Sequence, residues 1–227
     1  MKTVAIGLLA LVSVLSASAV EKAELDNRIR ALTAKFEALQ QQADNCVPAE
    51  TLRKAQGIIL LDRTKAGFIF AYQGGSGVAM VRNPKTHEWS PAAFLSANEA
   101  SLGFQIGGEQ NFFVILLMNT NATRMLTEPT FDVGGEARGT AGDSSSGVGT
   151  KFASSEPPVV VYNDRKGLYG GAAIKGGAIT PDQEANSAYY GDYFTMKDIL
   201  FDHKVKPTAS AMHLAGKIEE FSKGSKR

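Results

Sequence analysis

The residues best suited to nucleophilic catalysis are a serine run and three histidines. Residues 142–146 read Gly-Asp-Ser-Ser-Ser, and a Gly-Asp-Ser order occurs at the nucleophile turn of one class of serine proteases. That turn continues with a glycine, where this chain has Ser145, and His87, His203 and His213 have no matching context. We therefore predict a polar loop and no catalytic residue, and a secreted serine hydrolase stays as the less favoured alternative.

Metal-binding and phosphate-binding patterns are incomplete. No acidic residue heads an Asp-x-Asp-x-Asp-Gly calcium loop, and no Cys/His spacing fits a zinc site. Residues 74–77, Gly-Gly-Ser-Gly, lack the lysine and the helix of a phosphate-binding loop, so they are predicted to form a turn between two strands. Cys46 is the single cysteine and is predicted to be a small buried residue, with intermolecular pairing as the alternative. No metal and no cofactor is expected.

The N-terminal segment has the composition of a secretory signal peptide. Lys2 precedes an apolar run over residues 4–15, and residues 17–19, Ala-Ser-Ala, provide a small-residue cleavage site. The run is shorter than the roughly 20 residues that span a bilayer. Residues 1–19 are therefore predicted to be removed, leaving a secreted or periplasmic protein that begins near Val20. An uncleaved N-terminal anchor is the alternative.

The charge balance of the remaining chain argues against nucleic acid as a partner. Of 24 Lys and Arg residues, removal of Lys2 leaves 23, which equals the 23 Asp and Glu residues. A formally neutral chain lacks the overall basic character typical of nucleic-acid-binding domains. Apolar residues make up 44% of the sequence, which is ample for a hydrophobic core.

Residues 20–46 are predicted to form an amphipathic helix. Its apolar residues recur at spacings of three and four and so share one face: Leu25, Ile29, Leu32, Phe36 and Leu39. Two interpretations of this apolar stripe remain open. It either lies on a membrane, or it packs on a core or on another copy of the helix, which would allow self-association.

From residue 47 onward the chain predicts a short helix and then strands joined by tight turns. The helix opens at Pro48 and closes with Gly57 as its C-cap. Short apolar runs punctuated by glycine predict strands at 58–61, 67–72, 78–82, 101–106, 112–117, 159–162 and 167–174, with weaker ones at 130–133 and 135–139. Most pairs are too close for crossover helices, so the sheet should be mainly antiparallel. The expected fold class is α+β, with a curved glycine-rich sheet flanked by N- and C-terminal helices.

Three further helices are predicted in the second half of the chain. The first covers 121–126, the second runs over 181–190 with Thr180 as its N-cap, and the third covers 208–221. The C-terminal segment, 204–227, ends in a short basic tail and contains six basic and two acidic side chains. Such an excess favours an anionic surface.

Several short motifs, taken in order, carry a resemblance to a known family. They are Ala-Gln-Gly-Ile at 55–58, Lys-Ala-Gly-Phe at 65–68, Gly-Gly-Ser-Gly-Val at 74–78, Trp-Ser-Pro-Ala at 89–92, Gly-Phe-Gln-Ile-Gly at 103–107, Leu-Met-Asn at 117–119 and Lys-Gly-Leu-Tyr-Gly-Gly at 166–171. Together they resemble the SYLF domain, which would occupy residues 47–203. Two positions depart from the family pattern, namely Phe112 in place of an acidic residue and residues 142–146 in place of a Gly-Pro turn followed by a basic residue.

The resemblance implies a lipid-binding module and not an enzyme. Eukaryotic SYLF proteins bind phosphoinositides and some associate with actin, whereas bacterial members are exported. The implied partner is a phospholipid membrane surface, and an envelope structural or interaction protein is the alternative. Membrane contact in relatives has been tied to an amphipathic N-terminal segment, which corresponds here to residues 21–39. The lipid-binding residues assigned on this basis are Leu25, Arg28, Ile29, Arg30, Leu32, Lys35, Phe36, Arg53, Lys54 and Lys65.

Overall fold

An antiparallel sheet with helices on both faces forms the centre of the protein. The computed structural model describes residues 3–62, 74–98, 112–132, 157–164, 167–169 and 178–224. The helices are α1 (Thr3–Gln40), α2 (Ala49–Lys54), α3 (Thr120–Arg124), α4 (Gln183–Tyr190), α5 (Met196–Leu200) and α6 (Ala209–Ser222). The strands are β1 (Gly57–Asp62), β2 (Gly74–Val81), β3 (Ala93–Asn98), β4 (Phe112–Leu117), β5 (Phe131–Asp132), β6 (Val159–Asn163), β7 (Gly167–Tyr169) and β8 (Ala178–Pro181). The predicted α+β class is confirmed.

The strands form one sheet in the order β5-β8-β3-β2-β1-β4-β6-β7. Every pairing between the described strands is antiparallel, as the short connections predicted. The central strand β1 pairs with β2 on one side and β4 on the other. Burial on both faces explains why β1 and β4 are continuous apolar runs rather than alternating ones.

Alternate residues of the central strands enter two separate hydrophobic cores. In β1, Ile58 and Leu60 pack into the core covered by α1, α2, α4 and α6, whereas Ile59 and Leu61 pack into the core beneath α3 and α5. The predicted flanking by N- and C-terminal helices therefore describes one face of the sheet. Among the residues that the structure describes, no helix is long and apolar enough to cross a membrane.

A buried asparagine joins α4 to the sheet. Asn186 is fully buried, accepts a hydrogen bond from the Phe94 backbone N–H at 2.8 Å and donates one to the Phe94 carbonyl at 3.1 Å. The amide thus satisfies two backbone groups of β3 beyond its last pairing with β8. In this way α4 is fixed over the sheet, and with it the aromatic side chain of Tyr189.

Three sequence predictions about glycine and caps are wrong. Residues 74–77 lie within β2 and do not form a turn, and Gly77 faces Leu61 in the register with β1. Gly57 begins β1, whereas the C-cap of α2 is Ala55. The N-cap of α4 is Asp182, whose side chain accepts a hydrogen bond from the Ala185 N–H, because Thr180 belongs to β8.

Two strands and one helix have no counterpart among the predictions. Strand β3 reads Ala-Phe-Leu-Ser-Ala-Asn, with few residues of high strand propensity, and β8 contains Pro181. Pairing with β2 in the sheet overrides the weak local preference of β3. Helix α5 carries a capping box between Thr195 and Asp198 that is legible in the sequence. The predicted strands at 67–72, 101–106 and 135–139 lie outside the described residues.

Candidate functional site

The apolar stripe of α1 packs against the sheet. Each of the five stripe residues, Leu25, Ile29, Leu32, Phe36 and Leu39, is at most 4% exposed. Burial of one such side chain is worth about 1.5 to 3 kcal/mol, so the stripe contributes roughly 8 to 15 kcal/mol. That gain is of the same order as the net stability of a typical domain, about 5 to 15 kcal/mol, so losing the stripe from the core would destabilise the fold severely. Of the two interpretations of this helix, the packing interpretation describes the folded domain, and lipid contact through the stripe would require α1 to leave the sheet.

A group of hydroxyls fixes the exposed edge of α1 to α4 and α6. The carboxylate of Asp26 accepts hydrogen bonds from the Tyr189 hydroxyl and from the Ser210 hydroxyl, the latter at 2.6 Å. Thr208 joins the same group at 2.6 Å from the Tyr189 oxygen. Partial burial alone would raise the pKa of Asp26, but the bonds from Ser210 and Tyr189 and the charge of Arg30 hold it below its ordinary value. Burial and the bond to Asp26 raise the pKa of Tyr189, so this hydroxyl stays protonated as a donor.

The predicted basic residues of α1 all have acidic neighbours. Arg28 lies 3.6 Å from Asp182 of the α4 N-cap, Arg30 lies 3.2 Å from Asp26, and Lys35 lies 2.5 Å from Asp62 at the end of β1. In the described structure these three cations are therefore engaged in attaching α1 to the rest of the domain.

A second group of contacts, which we call the Arg82 cluster, joins Arg82, Trp89 and Glu219. The guanidinium of Arg82 donates to Glu219 at 2.7 Å and lies 5.8 Å from the centre of the Trp89 ring. The Trp89 indole N–H donates to the same carboxylate at 3.1 Å. Arg82 also donates to the backbone carbonyl of Arg53 at 3.1 Å and to that of His87 at 3.0 Å. The cluster thus ties together the end of α2, the loop between β2 and β3, and α6.

Exposed cations surround the Arg82 cluster. Arg53 lies in the last turn of α2, Lys85 lies in the loop after β2, and Lys223 directly follows α6. The start of α2 and the end of α6 are adjacent, since a Cβ placed on Gly224 would lie 3.7 Å from that of Ala49. Within the described ranges no carboxylate forms a salt bridge with any of these three side chains. We call Arg53, Lys85 and Lys223 the basic surface.

The two other predicted basic residues differ in position. Lys54 is half-exposed next to the basic surface and forms a salt bridge of 3.2 Å with Glu50, one turn earlier on α2. Lys65 lies outside the described residues, as do Lys226 and Arg227 of the predicted basic tail. The structure therefore brings Arg53 and Lys54 together and separates them from the α1 residues.

Comparison with known proteins assigns the chain to a family. Residues 98–221 match a family model described as "Ysc84: Las17-binding protein actin regulator". The chain is 33% identical over 175 residues to protein YSC84 of Saccharomyces cerevisiae, covering 75% of this chain and 37% of the yeast protein. The chain belongs to the Ysc84 family. The resemblance to the SYLF domain is thereby confirmed.

Other Ysc84-family relatives show the same partial coverage. The SH3 domain-containing YSC84-like protein 1 of Xenopus laevis is 30% identical over 168 residues, or 73% of this chain and 50% of the relative. The human protein of that name is 28% identical over 181 residues, or 79% of this chain and 52% of the relative. The chain thus spans about a third to a half of the relatives' length. Their names describe actin-associated and SH3-containing proteins and no enzyme.

The described residues of this Ysc84-family chain include no assembled catalytic or metal site. Residues 142–146, on which the hydrolase alternative depended, lie outside them. His87 and His203 are exposed, and His213 lies 3.9 Å from Glu37 with no serine bonded to it. In the parts of the chain that the structure describes, no group of three His, Cys, Asp or Glu side chains is placed to hold a metal, and Cys46 is a half-buried free thiol.

Sequence reasoning missed Arg82 and Lys85. Arg82 is separated from Glu219 by 137 residues, and no periodic pattern links residues that far apart. An isolated bridge between Arg82 and Trp89 closes the loop that carries Lys85. What was missing is the packing of α6 against α2, which places that loop next to the C-terminus of α6.

Proposed function

We propose that this Ysc84-family chain is a membrane-binding module that attaches to anionic phospholipids, phosphoinositides included, through the basic surface. The observation that supports the proposal is the convergence of Arg53, Lys85 and Lys223, all exposed and free of salt bridges among the described residues, around the partly buried Arg82 cluster. Cations without carboxylate partners are available to lipid phosphates at no cost in broken ion pairs. Lys54, next to Arg53 in the last turn of α2, adds a further cation beside the surface.

The expected affinity is modest. Each basic side chain near an anionic bilayer contributes about 1 kcal/mol, so the three residues together supply roughly 3 kcal/mol. This attraction is electrostatic and is screened within about 8 Å at physiological ionic strength. Binding should therefore require anionic lipid and weaken as salt is raised.

The first prediction tests this surface by vesicle co-sedimentation. Vesicles of phosphatidylcholine alone, of phosphatidylcholine with phosphatidylserine, and of the latter mixture with phosphatidylinositol bisphosphate are compared. The wild type should bind only the anionic vesicles, and the triple variant Arg53→Gln, Lys85→Gln, Lys223→Gln should bind them roughly 100-fold more weakly, from about 1 kcal/mol per charge.

A matched control removes the same number and types of cation elsewhere. Arg124, Lys197 and Lys206 are exposed and lie at or beside α3 and α5, over the other face of the sheet. Their triple change to Gln lowers the net charge equally and should leave most of the binding intact. Equal losses in the two triple variants would contradict a localised surface, and wild-type binding to neutral vesicles would contradict the electrostatic mechanism.

Protein binding is a second candidate function, favoured by the names of the relatives. The family model describes a Las17-binding actin regulator, and a further relative, at 33% identity, is named LAS seventeen-binding protein 3. The chain covers 35% of that relative, so partner binding there can involve the remainder of the relative. Capture of purified yeast Las17 by this chain, with no binding to any vesicle, would favour this function over lipid binding.

A further inference from the structure

We infer that Arg82 is a positioning residue that sets the geometry of the basic surface and does not itself contact lipid; the inference rests on the proposed function. Its side chain is 17% exposed, the least of the ion-paired Arg and Lys side chains in the described structure. All three of its nitrogen atoms, Nε, Nη1 and Nη2, donate to protein oxygens. Three of the five N–H donors are thus directed at protein oxygens, and the low exposure of the side chain keeps the guanidinium away from a membrane surface.

Each of the three bonds holds a different part of the surface. Nη1 binds the carbonyl of Arg53, which belongs to the last turn of α2 and so lacks a partner within the helix. Nε binds the carbonyl of His87, whose φ of 61° places it in the left-handed region that non-glycine residues seldom adopt. Nη2 binds Glu219 on α6, about one helical turn before Lys223. One planar group thereby fixes the relative positions of all three cations of the basic surface.

The loop that carries Lys85 is ordered by further bonds around the same point. The Asn83 side chain accepts hydrogen bonds from the backbone N–H of Lys85 at 2.9 Å and of Thr86 at 3.3 Å, and the Asn83 carbonyl accepts one from His87 at 2.9 Å. The bond from Arg82 to the His87 carbonyl attaches this turn to α2 and α6. Without that bond the turn keeps its internal structure but loses its fixed position beside Arg53.

Lysine cannot replace arginine here. A guanidinium presents five N–H donors in a rigid plane, whereas an ammonium is a compact group on a flexible chain. Lysine at position 82 would keep the charge and the salt bridge with Glu219, but it could not reach both carbonyls at the same time. The variant Arg82→Lys therefore keeps the positive charge at position 82 but loses the bonds that position the basic surface.

The second prediction compares Arg82→Lys with Arg124→Lys on vesicles of phosphatidylcholine and phosphatidylserine, since Arg124 is exposed on α3 and lies outside the basic surface. Both variants preserve the net charge. We expect Arg124→Lys to bind like the wild type, and Arg82→Lys to lose more than the about five-fold that one basic residue contributes. Because its cations no longer act together, Arg82→Lys should also show a shallower dependence of affinity on salt. Thermal unfolding of each variant sets a temperature at which all of them are folded, and binding is measured there.

The outcomes separate the alternatives. If Arg82→Lys binds with the affinity and salt dependence of the wild type, Arg82 is not a positioning residue, whatever happens to its melting temperature. If the wild type binds no anionic vesicle, the proposed function fails first and this inference fails with it.

Glu219→Gln provides a second test, based on the direction in which binding changes, that can contradict the inference even if Arg82→Lys does not fold. Glu220→Gln is its control, since Glu220 is exposed, next in sequence, and paired with Lys217 rather than Arg82. Removal of either carboxylate adds one net positive charge, so Glu220→Gln should strengthen binding, up to about five-fold. Glu219→Gln also loosens Arg82, and we expect it to bind no more tightly than the wild type. A gain with Glu219→Gln equal to that of Glu220→Gln would overturn the positioning role.

Discussion

At the scale of single residues, the same chemical groups have different roles in this domain because their partners differ. Arg28, Arg30 and Lys35 stabilise the docking of α1 through carboxylates, whereas Arg53 has no such partner in the described chain. A count of charges cannot distinguish these roles. Exposure and partner identity do, and both depend on contacts between residues far apart in the sequence.

Asp26 provides a prediction at this scale. Its pKa is lowered in the folded state, so its ionised form contributes stability above the ordinary value of 3.8, and that contribution is lost as the pH falls below it. Asp26→Asn should therefore be less stable than the wild type at pH 7, and the difference should shrink as the pH is lowered from about 4 toward 2. Urea unfolding across this range measures the difference. Asp44→Asn, at an exposed position beyond α1, is the control for the loss of a carboxylate and should stay within about 0.5 kcal/mol of the wild type at pH 7.

At the scale of elements, one position in the pairing of β2 with β1 has no room for a side chain. A Cβ added to Gly77 would lie 2.4 Å from the carbonyl oxygen of Leu60. Real Cβ atoms do not approach a backbone oxygen so closely, so any other residue would push the two strands apart. This explains a glycine in the middle of a strand, where its lack of a side chain is otherwise unfavourable.

A pair of identical substitutions tests this explanation. Gly77→Ala should destabilise the protein by more than about 2 kcal/mol, since overpacking in a core typically costs 1 to 3 kcal/mol and the contact is with rigid backbone. Gly216→Ala, in the middle of α6 with no atom within 4 Å of the new Cβ, should stabilise it by about 1 kcal/mol. Denaturant unfolding of both variants gives the two free energies. Stability changes of the same sign would show that glycine is not needed at position 77 for steric reasons.

The elements also show what the sequence could predict. Strand β4 was predicted at its observed residues and β1 and β6 to within a residue at each end, because long apolar runs next to turns indicate buried strands. Strand β3 was missed, because Ala93, Ser96 and Ala97 gain their strand conformation from neighbours in the sheet. Arg53 and Lys54 were assigned as candidate lipid-binding residues from the sequence. Arg82 and Lys85 could be identified only once the packing of α6 was known. The signal peptide and the lipid contacts stay predictions.

At the scale of the whole molecule, α1 is part of the core and not an appendage. Its stripe, together with Phe221 of α6, covers one face of the sheet, and the rings of Phe36 and Phe221 meet edge to face at 5.7 Å between centroids. Phe36→Ala should therefore lower the free energy of unfolding by about 3 to 5 kcal/mol. Glu24→Ala, at an exposed position of the same helix, should stay within about 0.5 kcal/mol of the wild type in the same denaturant titration. A small effect of Phe36→Ala would instead support a helix that leaves the sheet easily.

The bond between Arg82 and Glu219 determines when the basic surface can form during synthesis of the chain. The two residues are 137 positions apart. Strand β3 likewise cannot complete its pairing until β8 has been made, because Ala97 of β3 pairs with Ile179 of β8. Contacts between such distant residues form late and slow the folding of a chain. Once three-quarters of the chain has been made, β1 to β7 have been synthesised but β8 and α6 have not. Without α6 the basic surface has no fixed shape, so under the proposed function a partly synthesised chain does not attach to a membrane.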